Sequence, residues 1–257
     1  MAESVSKTLN YELIGENILE QTSASYNVPA QKLKEAIESA PSLFGMSSAT
    51  RKKYVSYINA AIMDILVKDN FVYYGPIAHF LIHGVSHVLK VFLISTLEDR
   101  IKVQMERENV SENEARKNIV KKDKERSIAS SAVFDIDHKD SSLFDMTIKI
   151  EHIETEEIVN FILNTIKNKK FQPMTYSIKL MENLALAARA KTVLLDIDED
   201  INVRGDDGVL YVHTRAVEKH KEKVIKEIKE RTQNLAGVSA VEVEVTKDTI
   251  GQIIDER

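Results

Sequence analysis

The sequence predicts an α/β fold, a parallel sheet with helices on both faces, followed by a small α+β domain at the C-terminus. Three observations carry that reading. Short apolar runs alternate with helical patterns as far as about Ile166, as strands buried on both faces by crossover helices do. A basic, proline-containing stretch, Lys167–Tyr176 (KNKKFQPMTY), then interrupts the alternation. Beyond it the order becomes α-β-β-α-β, with Asp-Gly between two apolar alternations, a strong hairpin signal. The domain boundaries follow at 1–170 and 171–257.

In the first part, Tyr11–Ile14 (YELI) reads as a short strand, and helical patterns fill Glu16–Ser25, Pro29–Ser39 and about Ser47–Lys68. Pro29 stands at a first-turn position, where its missing N–H costs nothing. Phe71–Tyr74 and Val88–Ile94 are apolar strands. Ser95 with Glu98, and Ser111 with Glu114, form capping-box patterns that open helices to about Arg107 and Ser130. Phe144–Ile150 (FDMTIKI) alternates as a strand, with Phe144, Met146, Ile148 and Ile150 on one face. Thr155, followed by Glu156 and Glu157 at the positive end of the helix dipole, opens a helix to about Ile166.

In the second part a helix spans about Tyr176–Ala190. Strands at Asp200–Val203 and Val209–Thr214 flank Gly205-Asp206-Asp207-Gly208. A charged helix, Val217–Gln233, leads through Gly237 to the strand Val238–Val245.

Composition sets outer limits. A chain of 257 residues, 43% hydrophobic and 29% charged, has material for one large domain or two small ones. Its 35 Lys+Arg against 40 Asp+Glu leave a net charge of -5, which argues against a surface that tracks nucleic acid. With no cysteine, disulfides, thiolate zinc sites, iron–sulfur clusters and cysteine nucleophiles are excluded together. The N-terminus carries charges from Glu3 onward and has no apolar signal-peptide core. The long uncharged stretch Asn70–Leu89 contains Gly75-Pro76, Gly84 and three histidines, so it reads as strand, turn, helix, turn rather than a membrane span. A cytoplasmic protein is expected.

Few residue patterns point to chemistry by themselves. His79, His83 and His87 have four-residue spacing, but Gly84-Val85-Ser86 interrupts the helix and no carboxylate completes a metal set. Asp196, Asp198 and Asp200 resemble the start of a calcium loop, yet Ile201 occupies the position where the sharp turn requires glycine; alternation makes them a solvated face. Arg116–Arg126 (RKNIVKKDKER) gathers six cations on a helix, either a solvated face or a clamp for phosphates. A phosphate-binding loop needs glycines followed by Gly-Lys-Ser/Thr. The eight glycines are at 15, 45, 75, 84, 205, 208, 237 and 251, and none precedes a lysine.

Asn70–Leu81 (NFVYYGPIAHFL), Val88–Arg100 (VLKVFLISTLEDR) and Met105-Glu106-Arg107-Glu108 occur in a familiar order. Ser111–Ala115 (SENEA), Lys122–Arg126 (KDKER) and Ser142-Leu143-Phe144-Asp145 continue it. On these residues the chain, from Tyr11 to about Asn168, resembles the cytidylate kinase-like family of P-loop nucleotide kinases. The resemblance implies a core that moves a phosphoryl group from ATP to a nucleoside monophosphate of the CMP type, with Mg²⁺. It also implies roles: Arg100 packs near the ATP base, Arg126 reaches the transferring phosphates from a lid as the catalytic cation, and Lys122 adds charge beside it. On residue pattern alone, Arg100 has the alternative of an i, i+4 or capping partner on its own helix.

The departures are specific. Met1–Leu9 (MAESVSKTL) looks like the latter part of the helix that follows the family's phosphate loop, and the strand and loop before it are missing. Gly75-Pro76 stands where many members have Gly-Arg, His79 where they have aspartate, and Ile14-Gly15-Glu16 where an Asp-Arg pair is common. Either the native protein starts further upstream, or this is a non-catalytic relative that senses a nucleotide or a partner. In both cases the chain as given is expected to show no useful ATP turnover. An exposed sheet would favour a homo-oligomer.

Ile201-Asn202-Val203, the hairpin Asp206–Val212 (DDGVLYV) and Leu235–Val241 (LAGVSAV) resemble BON domains, small α+β modules of bacterial proteins. That resemblance implies binding of a lipid, a small ligand or a protein partner, without catalytic machinery. Tyr211 and Val241 read as core.

Overall fold

The computed structural model describes residues 1–15, 17–39, 45–75, 77–134, 136–137 and 139–247, the side chains of 129, 132 and 133 excepted. Glu16 and Pro76, two of the positions at which the sequence departs from the family it resembles, lie outside the described residues. The elements begin with α1 (Ala2–Leu9), β1 (Glu12–Ile14), α2 (Asn17–Tyr26), α3 (Ala30–Glu38) and α4 (Ser48–Leu66). Next come β2 (Phe71–Tyr73), the single turn α5 (Ala78–Leu81), β3 (Val91–Ile94), α6 (Leu97–Glu108), α7 (Glu112–Phe134), β4 (Met146–Lys149) and α8 (Thr155–Ile166). The chain continues with α9 (Thr175–Leu194), β5 (Asn202–Asp206), β6 (Val209–Ala216), α10 (Lys221–Thr232) and β7 (Ala240–Lys247).

By their contacts these elements form two compact units. The first holds Met1–Met46 and Asn70–Met174, the second Ser47–Asp69 and Thr175–Arg257. Helix α4 thus interrupts the first unit in sequence and packs on α9 in the second. The change in pattern near residue 170 does not reveal this, because periodicity places a helix without saying what covers its apolar face.

In the first unit, β1 pairs in parallel with β2 from Glu12↔Phe71 to Ile14↔Tyr73, and β3 in parallel with β4 from Val91↔Met146 to Ile94↔Lys149. Parallel pairing is what the alternation predicts. The difference is that these strands form two separate pairs instead of one sheet. Each ladder is only three or four residues long, and no described strand runs between the pairs.

The β3–β4 pair is locked at its start. The Lys90 N–H donates to the Asp145 carboxylate at 3.0 Å, the Asp145 N–H donates to the Lys90 carbonyl at 2.9 Å, and Lys170 Nζ reaches Asp145 at 3.2 Å. The Phe144 ring stacks on Phe92 with centroids 4.7 Å apart.

The cap of α6 lies one residue from its predicted place. Thr96 Oγ1 accepts the Asp99 N–H at 3.2 Å and donates to the Asp99 carboxylate at 2.7 Å, so Thr96–Asp99, not Ser95–Glu98, is the box. Two overlapping pairs satisfy one pattern, and the end of β3 selects between them. Ser111 Oγ accepts the Glu114 N–H at 3.3 Å as its spacing predicts. At α8 the N-cap is Glu154, not Thr155, and its side chain makes no capping bond. Ile101 of α6 and Ala115 and Ile119 of α7 are buried together, with Leu97, Met105 and Val110 packed around them.

In the second unit, β5 and β6 form an antiparallel hairpin closed at Asp206↔Val209, and β7 joins β6 in parallel over eight residues. The two turn residues, Asp207 and Gly208, have φ of 47° and 86°, the type I′ geometry that the Asp-Gly pair predicts. The strand β5 runs on through Gly205 and Asp206, beyond the end at Val203 that the sequence predicts. Gly205 is needed there, since a Cβ would lie 2.5 Å from the Asn183 carbonyl oxygen of α9. Leu186, Ala190, Leu194, Leu195, Ile201, Leu210, Val212 and Ile228 form the buried core between the sheet and helices α9 and α10.

Among the described residues no helix is long and apolar enough to cross a membrane. The described residues of the uncharged stretch Asn70–Leu89 divide into β2, α5 and turns.

Candidate functional site

Strands β3 and β4 end at Ile94 and Lys149, and the residues that follow them, Ser95 and Ile150, line a cavity of about 320 Å³. Its position beyond the carboxyl ends of parallel strands is where α/β sheets commonly hold ligands. Helix α6 presents Arg100, Val103, Gln104 and Arg107 to it, and helix α7 presents Ile119, Lys122, Asp123 and Arg126. Each set follows i, i+3, i+4, i+7 spacing, so each is one continuous helix face. The apolar turns formed by Ile101, Ala115 and Ile119 hold the two faces together.

Four cationic side chains and one carboxylate line the cavity. The Arg100 guanidinium donates twice to Asp123, from Nη1 to Oδ2 and from Nη2 to Oδ1, both at 2.7 Å. This bond holds the Asp123 carboxyl below its ordinary pKa against the opposing effect of burial, and the charges of Arg100, Arg126 and Lys139 add to it. The same bond raises the Arg100 pKa. Buried Gln104 donates from Nε2 to Glu108 at 2.8 Å, and Arg107 also pairs with Glu108. Lys122 and Arg126 are exposed and make no side-chain hydrogen bond or ion pair among the described residues.

Such a set suits an anion with several oxygens. Guanidinium forks give paired, charge-assisted bonds to phosphate, lysine adds a point charge, and Val103, Ile119 and Ile150 offer an apolar wall to a ring. The donors do not fit a protein-held magnesium ion, because the single carboxylate is already bound bidentate by Arg100. Among the described residues no group of three or more histidine, aspartate or glutamate side chains could hold a metal ion.

Arg100, Lys122 and Arg126, the three residues singled out in the sequence, line this one cavity. Arg100 finds its partner on the neighbouring helix, not on its own as its residue-pattern alternative had it. Sequence reasoning missed Arg107, Gln104 and Asp123 as members of the site. Their helical spacing from Arg100 and Arg126 was the available signal.

The other constellations have structural uses. His79 packs against Phe80 and Phe144, with centroids 3.8 and 4.9 Å away, while His83 and His87 lie past the end of α5. Asp196 and Asp200 are exposed, as a solvated face requires, and all three aspartates also have protein partners. Asp196 pairs with Lys53 at 2.7 Å, Asp200 with Arg215 at 3.2 Å and with Lys52, and Asp198 accepts from Thr214 Oγ1 at 2.6 Å. At the departures near Gly15 and Gly75, tyrosines fill the space. A Cβ on Gly15 would meet the Tyr74 ring at 2.2 Å, and one on Gly75 the Tyr73 hydroxyl at 2.4 Å. Burial pushes the Tyr73 phenol up to about 12, although a backbone hydrogen bond from Ile77 opposes the shift.

Residues 1–152 match the model of the cytidylate kinase-like family. The chain belongs to that family. All ten residues that line the cavity fall within the matched range. A cytidylate kinase of Sulfolobus acidocaldarius is 29% identical over 102 residues, which are 40% of this chain and 56% of that enzyme. This cytidylate kinase-like chain thus spans little more than half the length of that curated relative. A crystal structure of an uncharacterized protein from Eubacterium ventriosum aligns with a TM-score of 0.49 at 19% identity, covering 64% of this chain and 88% of that one.

Proposed function

We propose that the α6–α7 cavity binds the phosphates of a nucleotide, within a domain built for phosphoryl transfer from ATP to a CMP-type nucleoside monophosphate. One observation carries this reading: four cations on two facing helical stripes converge beyond the carboxyl ends of a parallel strand pair, inside the family-matched range. In phosphoryl transfer, positioning and neutralisation of charge supply most of the catalysis. Arg126, exposed and making no side-chain hydrogen bond or ion pair among the described residues, is the cation for the transferring phosphate, with Lys122 one turn earlier beside it. Arg100 faces the same space, and its lining neighbours Val103 and Ile119 offer the apolar surface that a base requires. Mg²⁺ belongs to the nucleotide in this reading, and no step is assigned to it.

No glycine of the 257 residues precedes a lysine, so binding without useful ATP turnover is the expected behaviour of this chain. Isothermal titration with ATP, CMP and inorganic tripolyphosphate tests the reading. Arg126→Ala should weaken tripolyphosphate by about tenfold, the loss of one good charge-assisted pair. Failure of the unmodified chain to bind any of the three would refute it, and CMP phosphorylation by this chain would refute the loss of turnover.

A second reading assigns the binding role to the C-terminal region. The order α9-β5-β6-α10-β7 supports its likeness to BON modules, which implies a lipid, small-ligand or protein partner and a non-catalytic, sensing role for the chain. Binding of anionic vesicles or a captured protein by variants that have lost the α6–α7 cations would favour it.

A further inference from the structure

The carboxylate in the cavity occupies a position that a ligand phosphate would take. Asp123 is the only acid among the lining residues, and both of its oxygens are bound to Arg100 at 2.7 Å. Lys122 precedes it on α7, and Arg126 lies one turn further on. The pair is partly open to solvent, with side-chain exposures of 38% for Arg100 and 32% for Asp123. An arriving anion therefore reaches it without unfolding anything.

Two carboxylate oxygens in a guanidinium fork have nearly the geometry of two phosphate oxygens in the same fork. Asp123 also lies one helical turn beyond Ile119, where the small apolar contact between α6 and α7 ends. The pair is thus the next attachment of α7 to α6 after that contact.

We infer that Asp123 is a built-in counter-anion that occupies Arg100 in the free protein and is displaced by an incoming phosphate. This rests on the phosphate-binding reading of the cavity and adds a regulator to it. Displacement makes ligand binding compete with an internal anion, which lowers affinity and favours release. It also couples arrival of a phosphate to loosening of α7 from α6. Asp123 is then a specificity-setting residue: a monoanion regains little for what it breaks, while a polyphosphate engages Lys122 and Arg126 as well.

The test is calorimetric titration of the full chain and its variants with inorganic tripolyphosphate at fixed ionic strength. Asp123→Asn keeps the shape, removes the charge, and should bind about three- to tenfold more tightly than the unmodified chain. Asp123→Glu restores the charge and should return affinity to within about twofold of the original. Partial unfolding of a variant cannot imitate the expected result, because unfolding lowers affinity. Equal or weaker binding by Asp123→Asn, with the unmodified chain still binding, would make Asp123 a plain brace that presents Arg100 and overturn the inference alone. Binding by neither protein would overturn both this inference and the phosphate-binding reading.

Discussion

The α6–α7 pair of the first unit and the α9–β6–α10 layer of the second are held by different means. In the second unit, eight buried apolar residues lie between helices and sheet, and Ala190, Leu194, Leu210 and Ile228 have no exposed surface. Between α6 and α7 the buried apolar set is three residues, and the next attachment is an ion pair. Apolar burial is non-directional and insensitive to ligand charge, so it fixes a shape. A half-open ion pair is directional and open to replacement by another anion. The contrast sets shape-fixing burial in the α9–β6–α10 layer against a replaceable contact between α6 and α7, the property that the proposed ligand site requires.

The largest effect should come from removing apolar volume where burial dominates. Leu210→Ala should destabilise the second unit by about 2–5 kcal/mol in denaturant titration. Retained tripolyphosphate binding under those conditions would show that the two regions hold themselves independently. Gly205→Ala is next: its Cβ meets the α9 backbone at 2.5 Å, and moving packed backbone costs about 1–3 kcal/mol. An unchanged midpoint would mean that the layer yields more easily than its packing suggests.

Smaller effects test charge. Burial, reinforced by nearby Lys52 and opposed by Asp200, holds the Lys191 ammonium below its usual pKa. The unfolded chain therefore keeps that proton to higher pH, and the cost of burying the charge is present in full at neutral pH and relieved as pH rises through the folded value. Lys191→Met should accordingly stabilise the second unit at neutral pH by up to about 1 kcal/mol, and a loss of stability would show the charge is doing useful pairing. Asp123 runs the other way. Its depressed pKa means that its stabilisation is complete above the unfolded value of about 3.9 and is lost as pH falls through the folded value. Amide exchange along α7 should quicken below about pH 4, whereas in Asp123→Asn it should not change there.

The sequence disclosed most of the backbone and only part of the site. The hairpin at Asp207-Gly208 was legible because type I′ turns admit few residue pairs, β3 because its run Val91–Ile94 is wholly apolar, and β4 because its residues alternate. Three things were hidden for one physical reason, that each depends on contacts between segments distant in sequence. Helix α4 has an apolar face whatever covers it, and α9 proves to be the cover. Asp123 looks like one charge in a mixed run until α6 is set beside it. The tyrosines behind Gly15 and Gly75 explain those glycines only once the strand ends are in place.

The place of α4 has a consequence for how the chain is made. A ribosome releases Ser48–Leu66 long before Thr175–Leu194, yet these two helices pack on each other. Through the synthesis of most of the first unit, residues such as Val55, Ile58, Ile62 and Met63 emerge without the surface they are destined to meet. The nascent protein therefore carries a helix whose α9-facing residues stay uncovered until its last third is made, a stage at which exposed apolar surface invites aggregation. A fragment ending at residue 170 would lack α9, the helix on which α4 packs.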